Sequence, residues 1–169
     1  MTAPAPANEG EPGRVAAVDF GTVRIGIAIT DRRRTLASPL ETYTRVNRQT
    51  DAARFVRLVK EESVSLFVVG LPVHLNGNES AKSREATAFG RWLQETTGVP
   101  VEYFDERYTT TFATEQLAPA GFTKKRHKKR LDAVAAQVLL AAWLEAPQQK
   151  RGRTETPSIA SQLDPLDDR

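Results

Sequence analysis

The chain of 169 residues contains no cysteine and only two histidines, His74 and His127. Disulfides and thiolate metal sites are therefore excluded, and a zinc site is not expected. Any bound metal has to be held mainly by oxygen, which points to Mg²⁺ or Mn²⁺. Aromatic residues make up 7% of the chain, so base stacking is not an obvious recognition mode. No apolar run approaches the ~20 residues that a membrane-spanning helix needs. Met1–Gly13 has neither the basic start nor the apolar stretch of a signal peptide. The expectation is a cytoplasmic protein with no membrane partner.

What is present bounds the answer further. The length favours one domain, and 40% hydrophobic residues can bury a core. The net charge of +3 is a weak hint of a polyanionic partner. Its distribution says more: Lys124, Lys125, Arg126, Lys128, Lys129 and Arg130 fall in one short run. Six of the ten prolines lie in Met1–Gly13 or Pro147–Arg169, and neither stretch has apolar periodicity. Both are expected to be disordered tails around a folded domain over residues 14–146.

Within that domain the hydrophobic period alternates between two and 3.6. Val15–Asp19 is an apolar run ending in a carboxylate, as in a strand buried on both faces. Arg24–Thr30 alternates, and Gly21-Thr22 supplies a hairpin turn before it. Leu36–Tyr43 is a third strand, in which Pro39 points to a sheet edge or a bulge. Helical spacing follows from Ala52, with Asp51 placed as a cap or first-turn acid. Ser65–Gly70 and Val101–Asp105 read as strands four and five, separated by a helix from Ser80 to Thr96. Thr109–Leu117 reads as helix. The last helix is expected from about Arg130 to Glu145, with a stripe of Leu131, Val134, Ala135, Val138, Leu139 and Ala142. A three-strand meander followed by alternating helices and strands implies a mixed five-stranded α/β sheet. Its expected order is 3-2-1-4-5, with helices on both faces.

Three acids stand where this pattern gives little reason for one. Asp19 ends the most buried strand, Glu106 and its neighbour Asp105 end the fifth, and Asp132 lies in the first turn of the last helix. In the expected topology they converge at one end of the sheet. Gathered carboxylates repel one another, and a divalent cation resolves the repulsion. Such a cation can activate water against a phosphodiester without a histidine, cysteine or serine nucleophile. A structural reading of each acid is also open. Asp19 could cap a turn, Asp132 could answer the helix dipole, and Glu106 could pair with Arg107.

The motifs in order are Asp19-Phe-Gly-Thr-Val-Arg-Ile-Gly-Ile-Ala, Leu36-Ala-Ser-Pro-Leu-Glu-Thr, Val68-Val-Gly-Leu-Pro, Asp105-Glu-Arg-Tyr-Thr-Thr and Asp132-Ala-Val-Ala-Ala-Gln. This series resembles the YqgF family, also called RuvX, of bacterial RNase H-like proteins. The resemblance covers about Arg14 to Ala146. It implies an RNase H-like fold and metal-dependent phosphodiester hydrolysis, in 5′-end processing of pre-16S rRNA or in resolution of Holliday junctions. It implies that Asp19, Glu106 and Asp132 are catalytic acids and metal ligands, with Asp105 the alternative ligand on strand five. Many RNase H-like proteins carry a carboxylate on the strand beside strand one, where this chain has Val69-Gly70.

The run Lys124–Arg130 immediately precedes Asp132, so a nucleic-acid backbone held there lies close to the acids. Arg24 and Arg107 sit a few residues from catalytic acids and can fork onto a phosphate. Each could instead be a salt bridge steadying an acid. Thr109-Thr110-Thr111 fits a helix cap, Arg32–Arg34 a solvated turn, and His74 a surface histidine. The expected partner is nucleic acid, either structured RNA, including ribosomal precursor particles, or branched DNA. Monomer and homodimer both remain open. Asp19-Phe-Gly-Thr also resembles the phosphate motif of actin-like ATPases, but those need two such domains and this chain has room for one. The rival of a different class is a non-catalytic RNA-binding assembly factor, which the basic run would serve equally.

Overall fold

The computed structural model of the chain describes residues 12–72, 80–109 and 124–147, without the side chains of residues 108 and 124–130. Most of both tails, His74 and its loop, and the helix expected after Thr109 lie outside the described residues. Five strands form one sheet: β1 (Arg14–Asp19), β2 (Arg24–Thr30), β3 (Ala37–Thr44), β4 (Val64–Leu71) and β5 (Val101–Asp105). Their order is β3-β2-β1-β4-β5. The meander is antiparallel, and β4 and β5 run parallel to β1. Among the described residues no helix is long and apolar enough to cross a membrane.

Pro39 lies in an edge strand and beside a register shift. Ile27 faces Glu41 while Ala28 faces Pro39, so one residue of β3 is extra. At the edge a missing N–H breaks no inner ladder.

Strand alternation divides β1 between two cores. Ala16 and Val18 face a layer of two helices, α1 (Arg48–Glu62) and α2 (Ala81–Thr97), and pack with Phe55, Leu58, Phe89 and Leu93. Val15 and Ala17 face the last helix, α3 (Lys124–Glu145), and pack with Ala136, Leu139, Leu140 and Trp143. Ser80 caps α2 through a hydrogen bond from the Ser83 amide, and Gly98 in the left-handed region (φ 72°) ends it.

Several expectations need correction. Asp51 is the first-turn acid of α1, and the cap is Asn47, accepting from the Thr50 amide at 2.8 Å. Asp51 turns inward, 1% exposed. It accepts from Tyr43 Oη (2.8 Å), Val46 N (3.0 Å) and Arg45 Nε (3.3 Å). Burial pushes its carboxyl pKa up, but these bonds outweigh burial and hold it below the usual value. Arg34 is not merely solvated: it donates to the Gly13 carbonyl and Ser65 Oγ.

Helix α3 begins at Lys124, six residues before the expected start near Arg130, so the basic run is helical backbone rather than a loop. Lysine and arginine are good helix formers, which the density of like charge concealed. Of the expected stripe Val138, Leu139 and Ala142 are buried, but the buried face also takes in Ala133, Ala136, Leu140 and Trp143, whereas Leu131 is 43% exposed. Residues 133–144 are apolar nearly all round, so periodicity alone selects no face.

Candidate active site

Asp19 is the last residue of β1, on the α3 face, and it pairs across the ladder with Gly26 of β2. A Cβ on Gly26 would fall 1.9 Å from the backbone oxygen of Asp132. Only a glycine lets the helix backbone rest on the sheet there. That contact sets Asp132 over β2, next to Asp19.

Glu106 arrives by a different route. β5 stops at Asp105, which caps a single 3-10 turn, Glu106–Tyr108. The turn swings Glu106 towards β4, where a Cβ on Gly70 would lie 2.7 Å from its Oε1. The strand beside β1 therefore carries no acid of its own at this point. Its glycine vacates the space, and the glutamate from beyond β5 fills it.

Asp19, Glu106 and Asp132 line one open cavity of about 300 Å³ at the C-terminal end of β1. Leu131, Ala135, Val138 and Leu139 of α3 form its apolar wall, and Thr109 lies at its edge. Burial, then the charges of Glu106 and Asp132, push the Asp19 carboxyl from 3.8 up to about 7. Glu106 is also raised, by burial and by Asp105, against an opposing pull from Lys82. Asp132 is steadied by Arg24, whose Nε donates to Oδ2 at 2.9 Å. Among the described residues no three acidic or histidine side chains are gathered tightly enough to hold a metal ion as they stand.

Asp105 does not line the cavity with the other three. Its carboxylate accepts from the Arg107 amide (2.9 Å) and Arg107 Nε (2.8 Å). Arg107 is thus engaged with Asp105, and Arg24 with Asp132; both ion pairs steady an acid. The side chains of Lys124, Lys125, Arg126, Lys128, Lys129 and Arg130 lie outside the described residues, but their backbone forms the first turns of the helix that carries Asp132.

Sequence reasoning missed Gly26 and Gly70. Thr109 does act as a cap, at the C-terminal end of the 3-10 turn: its Oγ1 donates to the Glu106 carbonyl at 2.6 Å and closes the turn that aims Glu106. A signal existed for Gly26: a glycine inside an Ile-rich alternating strand marks a close approach of backbone.

A central β1 ending in an acid, flanked by a helix-borne second and a loop-borne third, defines an RNase H-like protein with a carboxylate cavity. The chain belongs to the RuvX family, whose model, described as a Holliday junction resolvase, matches residues 13–146. A curated relative from Rhodopirellula baltica, named "Putative pre-16S rRNA nuclease", is 51% identical over 83% of this chain and 82% of its own. Another of that name, from Mycobacteroides abscessus, is 40% identical over 91% of this chain and 93% of its own. Among solved structures, Thermus thermophilus RuvC superimposes with a TM-score of 0.52 at 15% identity, over 82% of this chain and 98% of that one. The same protein in complex with a Holliday junction substrate gives 0.51 at 18% identity, over 78% and 94%. At those identities the likeness concerns the fold alone.

Proposed function

We propose that this chain is a metal-dependent nuclease that hydrolyses phosphodiester bonds in 5′-end processing of pre-16S rRNA, in the cytoplasm. The observation that carries the chemistry is the convergence of Asp19, Glu106 and Asp132 on one cavity. The RNA substrate rests on the name its relatives carry.

Asp19, Glu106 and Asp132 would hold a divalent cation, Mg²⁺ or Mn²⁺. The residues fit it in kind: the donors are all oxygen, the three carboxylates line one cavity, and burial with their mutual charge pushes the Asp19 carboxyl up to about 7. When bound, the cation supplies activation of water and neutralises charge on the leaving oxygen. The chain's own residues do the rest. Arg24 orients Asp132 through its Nε. The basic residues 124–130 grip the backbone on the helix that carries Asp132. Arg107 holds Asp105, and so the turn that presents Glu106.

The test is cleavage of precursor 16S rRNA, single-stranded RNA and a four-way DNA junction in Mg²⁺ or Mn²⁺, by wild type and Asp19→Asn. Wild type is expected to cut the precursor, and the variant to bind it without cutting. Equal cleavage by both defeats the nuclease reading. Preference for the junction transfers the function to DNA recombination.

A further inference from the structure

A second cavity, of about 390 Å³, opens on the opposite face of the sheet from the carboxylates. Its walls are Phe20, Phe89 and Trp92, with Arg45, Arg48 and Glu85 as its charged residues. Phe20 directly follows Asp19, and consecutive residues leave an extended strand on opposite sides. Asp19 therefore faces the acid cavity while Phe20 packs against the α1–α2 core. The two cavities therefore flank one strand end from opposite faces of the sheet, where a substrate strand could pass around that end.

The second cavity has the parts of a nucleotide subsite. Phe20 stacks on Phe89 with ring centroids 4.8 Å apart, and Trp92 tilts against Phe89 at 5.4 Å. These rings brace one another from below, while Phe20 and Trp92 stay partly exposed at the cavity. The Arg45 guanidinium lies 5.4 Å from the Phe20 ring centroid. It is fixed there by buried Asp51 through Nε at 3.3 Å and by the Thr22 carbonyl at 3.5 Å. The guanidinium covers one face of Phe20 and Phe89 stacks on the ring as well, so a base would meet the planar guanidinium and Trp92 rather than Phe20 itself. Arg48, at the start of α1, is exposed. Asp51 answers the charge of Arg45, and Arg48 and Glu85 are the exposed charges of the lining.

We propose that this cavity takes an unpaired nucleotide of the substrate strand, the base against Trp92 and the Arg45 guanidinium that covers Phe20, and a phosphate on Arg48. The proposal rests on the nucleic-acid reading above and sharpens it: the preferred substrate has single-stranded RNA beside the scissile bond. Asp51 acts here as a positioning residue for Arg45. The low aromatic content concealed this: three of the twelve aromatic residues meet at this cavity.

The test is binding by the full chain in EDTA, so that cleavage plays no part. The probes are a short single-stranded RNA and a blunt RNA duplex, followed by Trp emission and anisotropy. Trp143 is 3% exposed, so a change on binding reports Trp92. Single-stranded RNA is expected to quench Trp92 and to bind more tightly than the duplex. Phe20→Leu and Arg48→Ala should each weaken single-strand binding by about tenfold, within the range of one lost base stack. Thermal melts establish that both variants fold; Arg48 is exposed, so at least one does. Unchanged single-strand affinity and no quenching overturn the subsite, even if Asp19→Asn still abolishes cleavage. If these variants keep RNA affinity and instead lose a protein partner, the cavity is a protein-docking site and the proposal fails.

Discussion

Gly70 and Glu106 share one space: the Cβ that Gly70 lacks would stand 2.7 Å from Glu106 Oε1. Gly70→Ala therefore pushes the far end of a flexible acid rather than backbone. Leu139 Cδ2, at 3.2 Å from the same point, also has to give. The expected outcome is at least a tenfold fall in cleavage rate, about 1.4 kcal/mol of barrier, with only a modest loss of stability. Single-turnover rates beside denaturant melts check it; full activity with lost stability would contradict it.

Arg24 joins β2 to α3 through Asp132, and both side chains are about a third exposed, at 30%. In that setting the pair is worth at most about 1 kcal/mol to stability. Its weight falls on function. Arg24→Ala should lower cleavage by at least about tenfold while shifting the urea midpoint little. Arg24→Lys keeps the charge but loses the planar fork, so it should recover only part of the rate.

Asp19 carries a pH signature. Below 3.8 its carboxyl is protonated folded and unfolded alike, and it adds no penalty. As pH rises towards about 7 the unfolded chain releases the proton first, so the folded state loses stability across that window. Above it the penalty is complete, of the order of 2–4 kcal/mol. Asp19→Asn should melt several degrees higher than wild type at pH 7.5 in EDTA and about equally at pH 3.5. Mg²⁺ should raise the melting temperature of wild type and leave the variant nearly unmoved.

The basic turns of α3 predict a salt dependence. Replacing Lys124, Lys125, Lys128 and Lys129 by Gln should reduce the slope of log affinity against log salt by about 3–4 for RNA. The helix should persist, since Gln and Lys have similar propensities. An unchanged slope would remove the run from the binding surface.

The strand order was legible because each strand carries its own signal: alternation in Arg24–Thr30, the buried run before Asp19, the proline that confines β3 to the edge. The acids were legible because each breaks an apolar pattern. What stayed hidden were features defined by a partner distant in sequence. Gly26 and Gly70 matter for the helix and the glutamate that lie over them, not for their own neighbours. Asp51 looks like a capping residue until Tyr43 and Arg45 are seen around it. Strand parity suggests that Asp105 and Glu106 cannot both face one site. They do separate, but because the strand ends between them and a tight turn redirects the second.

The bare position at Gly26 acts as a bearing on which α3 is seated. A single methyl group there would unseat a helix whose first turns carry the lysines and arginines and whose next residues carry a carboxylate. Hold on the nucleic-acid strand and placement of Asp132 are thus geared to one another, and both could be thrown out of register without altering any charge.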